Sequence, residues 1–240
     1  MRQFLTVDIG AGTMDILVYD MDSGVHYKAV AKSPVLSVAE KAASTPGHLL
    51  ITGVEMGGGS LSKVLRQRAE EGEITMSVSS AATIHHNPEK VRSWGINIVG
   101  DEEAETLRHN HKYTALKIGD LEPERLACIV EGIGLPFSFD VVGICAQDHG
   151  VPPDGISHLD FRHNIFKSIL DENPFPHAML HRRGEVPDTF NRLKSISESA
   201  TLLPAKEIYV MDSGLHNITI NVKIFCFVYI KFSQGMKGVC

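Results

Sequence analysis

The sequence predicts an α/β fold, and three observations support this prediction. The first thirty residues contain three β-prone runs separated by two glycine-containing turns, which indicates three consecutive strands. Apolar β-prone runs then alternate with segments whose apolar residues recur at helical spacing. The run at 140–146 is apolar almost throughout, as is typical of a strand buried on both faces. An antiparallel hairpin at the start disfavours a pure dinucleotide-binding fold, in which a helix follows the first strand.

The individual elements follow from the same patterns. The first three strands are expected between the turns at 10–13 and 22–24, over residues 4–9, 14–19 and 25–30. Other short apolar runs predict strands at 49–52, 115–118, 140–146 and 208–211, and residues 218–232 are also β-prone. Apolar residues spaced three or four apart predict helices at 35–43, 59–71, 88–94, 101–109, 123–131, 161–170 and 189–199.

Composition is that of an ordinary globular protein. The 240 residues suit one large domain or two small ones, with 43% hydrophobic and 22% charged residues. The net charge is −6, and a surface for nucleic-acid backbone needs clustered Lys and Arg, so we expect no nucleic-acid partner. No secretory leader and no window of 18 uncharged apolar residues is visible. We therefore expect a cytoplasmic protein without a membrane partner.

Missing motifs disfavour several common classes of enzyme. The sequence contains no P-loop, no G-x-G-x-x-G, no G-x-S-x-G and no H-E-x-x-H. A zinc ribbon or an iron–sulfur cluster built within the chain needs closely spaced thiolates. The four cysteines are far apart, at Cys128, Cys145, Cys226 and Cys240. P-loop NTPases, common dehydrogenases, serine hydrolases and zinc proteases are thus disfavoured.

The strongest chemical signal lies in the first predicted turn. Asp8 ends a strand, where a carboxylate can hold Mg²⁺ through water, since magnesium keeps part of its hydration shell. Gly10 and Gly12 allow a sharp turn and close approach of a ligand, and the backbone N–H groups of such a turn suit phosphate. Thr13 adds a hydroxyl, and Asp15 opens the second strand. The alternative is a plain hairpin whose glycines and aspartate only form the turn.

A second predicted strand end repeats this pattern. The strand at 208–211 runs into Asp212, Ser213 and Gly214, which again gives strand, aspartate and glycine in order. Taken alone the match is weak, because Asp-Ser-Gly is a frequent turn. The two turns together, each after an apolar strand, indicate a shared ligand chemistry.

A third strand end carries polar groups of another kind. The buried strand at 140–146 runs into Gln147 and Asp148. Gln147 is suited to orient a water, and Asp148 is suited to accept a proton from a nucleophile. The alternative is a polar cluster that caps the turn after the strand. A further motif, Phe161-Arg162-His163, suits a phosphate or carboxylate substrate, with exposed surface charge as the alternative.

The sequence Asp-x-Gly-x-Gly-Thr-x-Asp between two strands resembles the first phosphate loop of the ATPase superfamily that contains actin, heat-shock chaperones and sugar kinases. This resemblance implies ribonuclease-H-like lobes, with ATP and Mg²⁺ in the cleft between them. It also implies that Gln147 and Asp148 face the γ-phosphate as catalytic residues. The residues implied for cofactor binding are Asp8, Gly10, Gly12, Thr13, Asp15, Asp212 and Gly214, with Asp8 and Asp212 holding Mg²⁺ through water.

Five segments read in series are similar to a prokaryotic family labelled as pyruvate formate-lyase activating enzymes, over roughly residues 3–220. They are residues 7–15, 52–59, 81–85, 146–150 and 211–214. The label implies glycyl-radical activation through an iron–sulfur cluster, which needs three closely spaced cysteines. The wide cysteine spacing disfavours that activity.

The sequence thus favours an ATP- and Mg²⁺-binding protein that hydrolyses ATP or transfers phosphate to a small-molecule or protein acceptor. We expect a first ribonuclease-H-like lobe at 1–150, an irregular connecting segment at 151–206, and the start of a truncated second lobe at 207–240. The alternative is a non-catalytic ribonuclease-H-like module for interaction or regulation. The resemblance implies a glycine-rich adenosine turn beyond the second phosphate loop, and its lack in this sequence favours that alternative.

Overall fold

The computed structural model describes residues 2–54, 59–85, 87–148, 150, 152–153, 155–174 and 176–212. The chain divides into two compact units. The first combines Met1–Ala31 with the chain from Leu121 onward, and the second is Lys32–Asp120. Each unit combines helices with a sheet, which confirms the predicted α/β class. The boundaries predicted at residues 150 and 206 stay predictions.

The elements agree with the predicted order and add several short ones. The strands are β1 (Gln3–Ile9), β2 (Thr13–Asp20), β3 (His26–Lys32), β4 (His48–Val54), β5 (Ile74–Ser77), β6 (Ile96–Val99), β7 (Tyr113–Gly119), β8 (Phe139–Ala146), β9 (Leu180–Arg182) and β10 (Ala205–Asp212). The α-helices are α1 (Pro34–Ser44), α2 (Gly59–Glu71), α3 (Val78–Ile84), α4 (Pro88–Arg92), α5 (Asp101–Leu107), α6 (Pro123–Gly132), α7 (His158–Glu172) and α8 (Asn191–Ser199). Two 3₁₀ turns lie at Pro176–Met179 and Ala200–Leu202.

The first unit is built on a mixed six-stranded sheet in the order β3-β2-β1-β8-β10-β9. Strand β1 pairs antiparallel with β2 and parallel with β8, and β8 pairs parallel with β10. The three strands predicted at the N-terminus are confirmed. The sequence predicts the strand at 208–211 as the start of a second lobe, and in the structure it is β10 of this same sheet. The carboxyl ends of β1, β8 and β10 therefore meet at one edge, called here the carboxyl edge.

Both faces of this sheet are covered by apolar side chains. On one face, alternate residues of the central strands pack against helices α6 and α8, in a cluster that includes Leu5, Val7, Ile144, Val210, Leu126 and Leu193. The other face carries a smaller cluster formed with α7, namely Cys145, Phe166, Met179 and Met211. Each fully buried side chain of this size contributes about 1.5–3 kcal/mol, so these two clusters fix where the strand ends lie.

The second unit is a four-stranded, all-parallel sheet in the order β6-β5-β4-β7. Helix α1 is joined to α2 by Arg68, whose guanidinium donates to the carbonyl oxygens of Ala42 and Gly47 at 2.9 and 2.7 Å and also to that of Thr45. These carbonyls lie at and just after the end of α1, where a helix leaves acceptors unsatisfied. Arg68 therefore caps α1 from a neighbouring helix.

Among the residues that the structure describes, no helix has the length and hydropathy needed to cross a membrane.

Candidate functional site

Three of the predicted polar segments lie at neighbouring strand ends of the first unit. The register pairs Asp8 on β1 with Cys145 on β8, and Cys145 with Met211 on β10. Asp8 is thus two strands away from the end of β10, about 10 Å between Cα atoms at the usual strand spacing. Gln147 follows the end of β8, between them. The carboxyl edge therefore brings together the segments that carry Asp8, Gln147 and Asp212.

The turn between β1 and β2 is tight and open to solvent. The amide of Gly10 donates to the carbonyl of Thr13 at 2.9 Å, and the Thr13 hydroxyl donates to a carboxylate oxygen of Asp15 at 3.2 Å. A Cβ at Gly10 would lie 3.1 Å from the Thr13 carbonyl oxygen, whereas one at Gly12 would meet no atom within 4 Å. A side chain at position 10 would therefore crowd the turn. Gly12 leaves open space beside an exposed backbone, which suits close approach of a ligand.

The two predicted metal ligands lie on neighbouring rows of the sheet. Asp8 shares its row with Cys145 and Met211, whereas Asp212 shares its row with Ala146. Successive side chains of a strand point to opposite faces. The two carboxylates therefore point to opposite faces of the sheet at the same edge. A single ion would contact both of them only through water.

Asp148, which follows strand β8, is held by hydrogen bonds from backbone amides. Its side chain is buried, and its two oxygens accept from the amides of Gly150 at 2.8 Å and Leu193 at 2.9 Å. Leu193 is the third residue of α8, so Asp148 caps a helix whose own N-cap residue, Phe190, makes no side-chain bond. Burial raises the pKa of Asp148 above its usual value, although the hydrogen bonds from backbone amides act in the opposite direction. These contacts correspond to the capping alternative, and the proton-accepting role stays a prediction.

Two buried arginines bond to residues at the carboxyl edge. Arg162 on α7 is 5% exposed, and its Nη2 donates to Oδ1 of Asp212 at 3.1 Å. Its guanidinium carbon also lies 5.3 Å from the centre of the Phe166 ring. Arg192 on α8 is 4% exposed and donates to the backbone carbonyl of Gln147. The surface-charge interpretation is therefore wrong for Arg162, and the sequence analysis missed Arg192.

A helical signal for Arg162 was present in the sequence. Arg162, Phe166 and Ile169 lie on one face of α7 at helical spacing, and the latter two pack in the cluster with Cys145. For Arg192 the helix pattern gives a weaker signal of burial. Its only local sign is that it directly precedes Leu193, which is buried. Its carbonyl partner lies 45 residues away, which local sequence does not show.

Some predicted site residues lie outside the described part of the chain. These are Gly214, with the neighbouring Ser213, and His149 after Asp148. Within the described ranges, no group of three or more His, Cys, Asp or Glu side chains is arranged to hold a metal ion. Any magnesium site at this edge would therefore take most of its ligands from water and phosphate, as Mg²⁺ commonly does.

The first unit is thus an α/β structure with acidic, glycine-rich and amide-bearing loops at the edge where parallel strands end. A family described as "Putative pyruvate format-lyase activating enzyme (DUF1786)" matches residues 56–223, and the chain belongs to this family. The matched range includes Gln147, Arg162 and Asp212, whereas the turn at 10–13 precedes it. A comparison with curated proteins found no match.

Proposed function

We propose that the chain binds ATP with Mg²⁺ at the carboxyl edge of its first unit and hydrolyses ATP or transfers its phosphate to an acceptor. The observation that supports this most is the placement of the Gly10–Thr13 turn, at the end of β1 and beside the end of β8. In open α/β sheets, ligands bind outside the carboxyl ends of the parallel strands. Antiparallel N-terminal strands beside parallel ones also support a ribonuclease-H-like lobe of the superfamily of actin and the sugar kinases.

The turn has the features that a phosphate needs. Its residues 11–13 are exposed, and the position of Gly12 leaves room within 4 Å for an approaching oxygen. Backbone N–H groups in such a turn attract anions. The Thr13 hydroxyl adds one more donor once it leaves Asp15. Phosphate oxygens would therefore lie against the backbone of this turn.

The carboxylates supply what a hydrated magnesium ion needs. Asp8 is partly exposed at the end of β1, next to the turn. Carboxylate oxygen is a preferred partner of Mg²⁺. The Cα atoms of Asp8 and Asp212 are about 10 Å apart, so both carboxylates would hold one ion through water. When bound, the metal would neutralise charge on the transferring phosphate. We assign the main metal contact to Asp8.

Gln147 is the better candidate to face the γ-phosphate. Its backbone is held by Arg192, and its side chain is partly exposed at the end of β8. Asp148 is less suited, because both of its oxygens accept backbone amides. Gln147 would orient the attacking water or acceptor hydroxyl, and catalysis would rest on positioning and electrostatics.

Calorimetry of ATP binding with and without Mg²⁺ tests this proposal. Asp8→Asn removes a charge-assisted contact of ~1.5–3 kcal/mol, which corresponds to roughly ten- to a hundred-fold weaker Mg²⁺-dependent binding. Gly12→Val should weaken binding without loss of stability, because its side chain fills open space. Asp22→Asn is the control, because it makes the same charge change at the exposed turn after β2. This variant should bind ATP with the same affinity as wild type. Unchanged affinity in both Asp8→Asn and Gly12→Val would contradict the proposal.

A second function is favoured by Asp148. With the Asp148 carboxylate bound to two amides, the described residues of the site offer no evident base, which suits a protein without turnover. This is the interaction or regulatory module. Phosphate-release assays separate the two functions, since the module, whose nucleotide site is incomplete, releases no phosphate. The activity in the family's description is not proposed, because the four cysteines of this sequence are widely spaced.

A further inference from the structure

Helix α7 touches the loop after β8 and the last residue of β10 in the first unit. Consecutive residues of α7 make the two contacts. The Phe161 ring packs on Gly150, where an added Cβ would lie 2.8 Å from the ring, and Arg162 bonds to Asp212 at the end of β10. Gly150 has a φ of +69°, so both its conformation and its packing depend on glycine. The position of α7 is thus linked to the strand ends of both β8 and β10.

The pair between Arg162 and Asp212 is shielded from water. The two side chains are 6% and 0% exposed, and the guanidinium also lies over Phe166. Salt screens a buried pair much less than a surface pair, and removing either partner leaves an uncompensated buried charge. Within the described residues, the Nε of Arg162 is buried without a hydrogen-bond partner. Among the described residues, one donor of the guanidinium thus has no acceptor.

We propose that Arg162 is a positioning residue of the nucleotide site, which fixes the carboxylate of Asp212 at the end of β10. This rests on the proposed function, because it assigns Asp212 to that site. With Arg162 in place, the carboxylate of Asp212 is held in one orientation, and the Nε–H of Arg162 would donate to an oxygen of the bound phosphate.

The test compares three variants of the full chain with wild type. Arg162→Gln removes the charge, Arg162→Lys keeps it without the planar fork, and Ile169→Val makes a small apolar change in the same helix. Two quantities are measured: the dissociation constant for ATP at saturating Mg²⁺, and the hydrogen-exchange rate of the Asp212 amide in the folded protein. The Nε–H resonance of Arg162, assigned by its loss in Arg162→Lys, is followed as ATP is added.

We expect at least tenfold weaker binding and tenfold faster exchange in Arg162→Gln, an intermediate result in Arg162→Lys, and values within twofold of wild type in Ile169→Val. Equal exchange and equal affinity in wild type and both Arg162 variants would overturn the proposal. If Arg162→Gln does not fold, the affinity and the exchange rate of Arg162→Lys alone test the proposal. If wild type binds no nucleotide while Arg162→Lys still speeds exchange at Asp212, the proposed function fails and the positioning contact stands.

Discussion

Replacing Asp148 decides whether this carboxylate supports the fold or the chemistry. Asp148→Ala removes the acceptor of two buried amides, those of Gly150 and Leu193. Each buried donor left unsatisfied costs about 1–3 kcal/mol, so for two donors we expect a loss of about 2–6 kcal/mol in the free energy of unfolding. Asp148→Asn keeps one acceptor oxygen and should lose about 1–3 kcal/mol. Such losses are a large part of the usual stability of a domain.

Urea unfolding followed by circular dichroism measures these losses. Tryptophan fluorescence is less suitable, because Trp94 belongs to the other unit. Hydrogen exchange at the Leu193 amide reports the same bond directly and should become faster in both variants. A stable Asp148→Ala variant with a protected Leu193 amide and no phosphoryl transfer would refute the structural role and favour the proton-accepting one.

The pH dependence gives an independent check on Asp148. Burial raises its pKa above the ordinary value of 3.8, so the folded state favours the protonated form. The stability gained from that preference is complete below pH 3.8 and is lost as the pH rises through the folded-state pKa. Relative to Asp148→Asn, which does not titrate, wild type should therefore gain stability as the pH falls through this window.

Two further predictions concern His181 and Gly53. Burial lowers the pKa of His181 beneath 6.5, and its ring lies 5.8 Å from that of Phe190. Wild type should thus lose stability as the pH falls from 6.5 through the folded-state pKa, and His181→Leu should lose less in acid titrations of the melting temperature. Gly53 has a φ of +91°, and an added Cβ would lie 2.2 Å from the Ile118 carbonyl oxygen. Gly53→Ala should cost about 2–5 kcal/mol from strain and overpacking, measured by thermal unfolding. Gly47→Ala, with similar φ but open space, should cost only about 1–2 kcal/mol, and equal losses would contradict this.

Long periodic elements of the fold could be predicted from the sequence, and short ones could not. Helix α2 and strand β8 were predicted within one residue of their bounds, since each has a clear apolar pattern. Strand β5 spans only four residues and ends in Ser77, which is also the N-cap of the helix that follows. Strand β9 has three residues and exists through its pairing with β10. Tertiary pairing, rather than local pattern, forms these two strands.

The chemical types at the site could be predicted, but their partners could not. A strand end with aspartate and glycines indicated Asp8 and its turn, because that chemistry is local in sequence. The partner of Asp212 lies 50 residues earlier, on a helix whose arginine looked like surface charge. Charged side chains are rarely fully buried unless paired, so the surface-charge alternative for Arg162 was wrong because its partner is not visible in the local sequence.

Burial separates the roles of the three aspartates at the carboxyl edge. Asp148 has both oxygens on backbone amides, and Asp212 faces a buried guanidinium. A divalent cation placed directly on Asp212 would lie beside the positive charge of Arg162, which opposes it at short range. Asp8 is the one of the three that is partly exposed, and it ends the strand that enters the open turn. If this edge holds Mg²⁺, its affinity should therefore depend mainly on Asp8, with Asp212 acting through water and through the arginine that holds it.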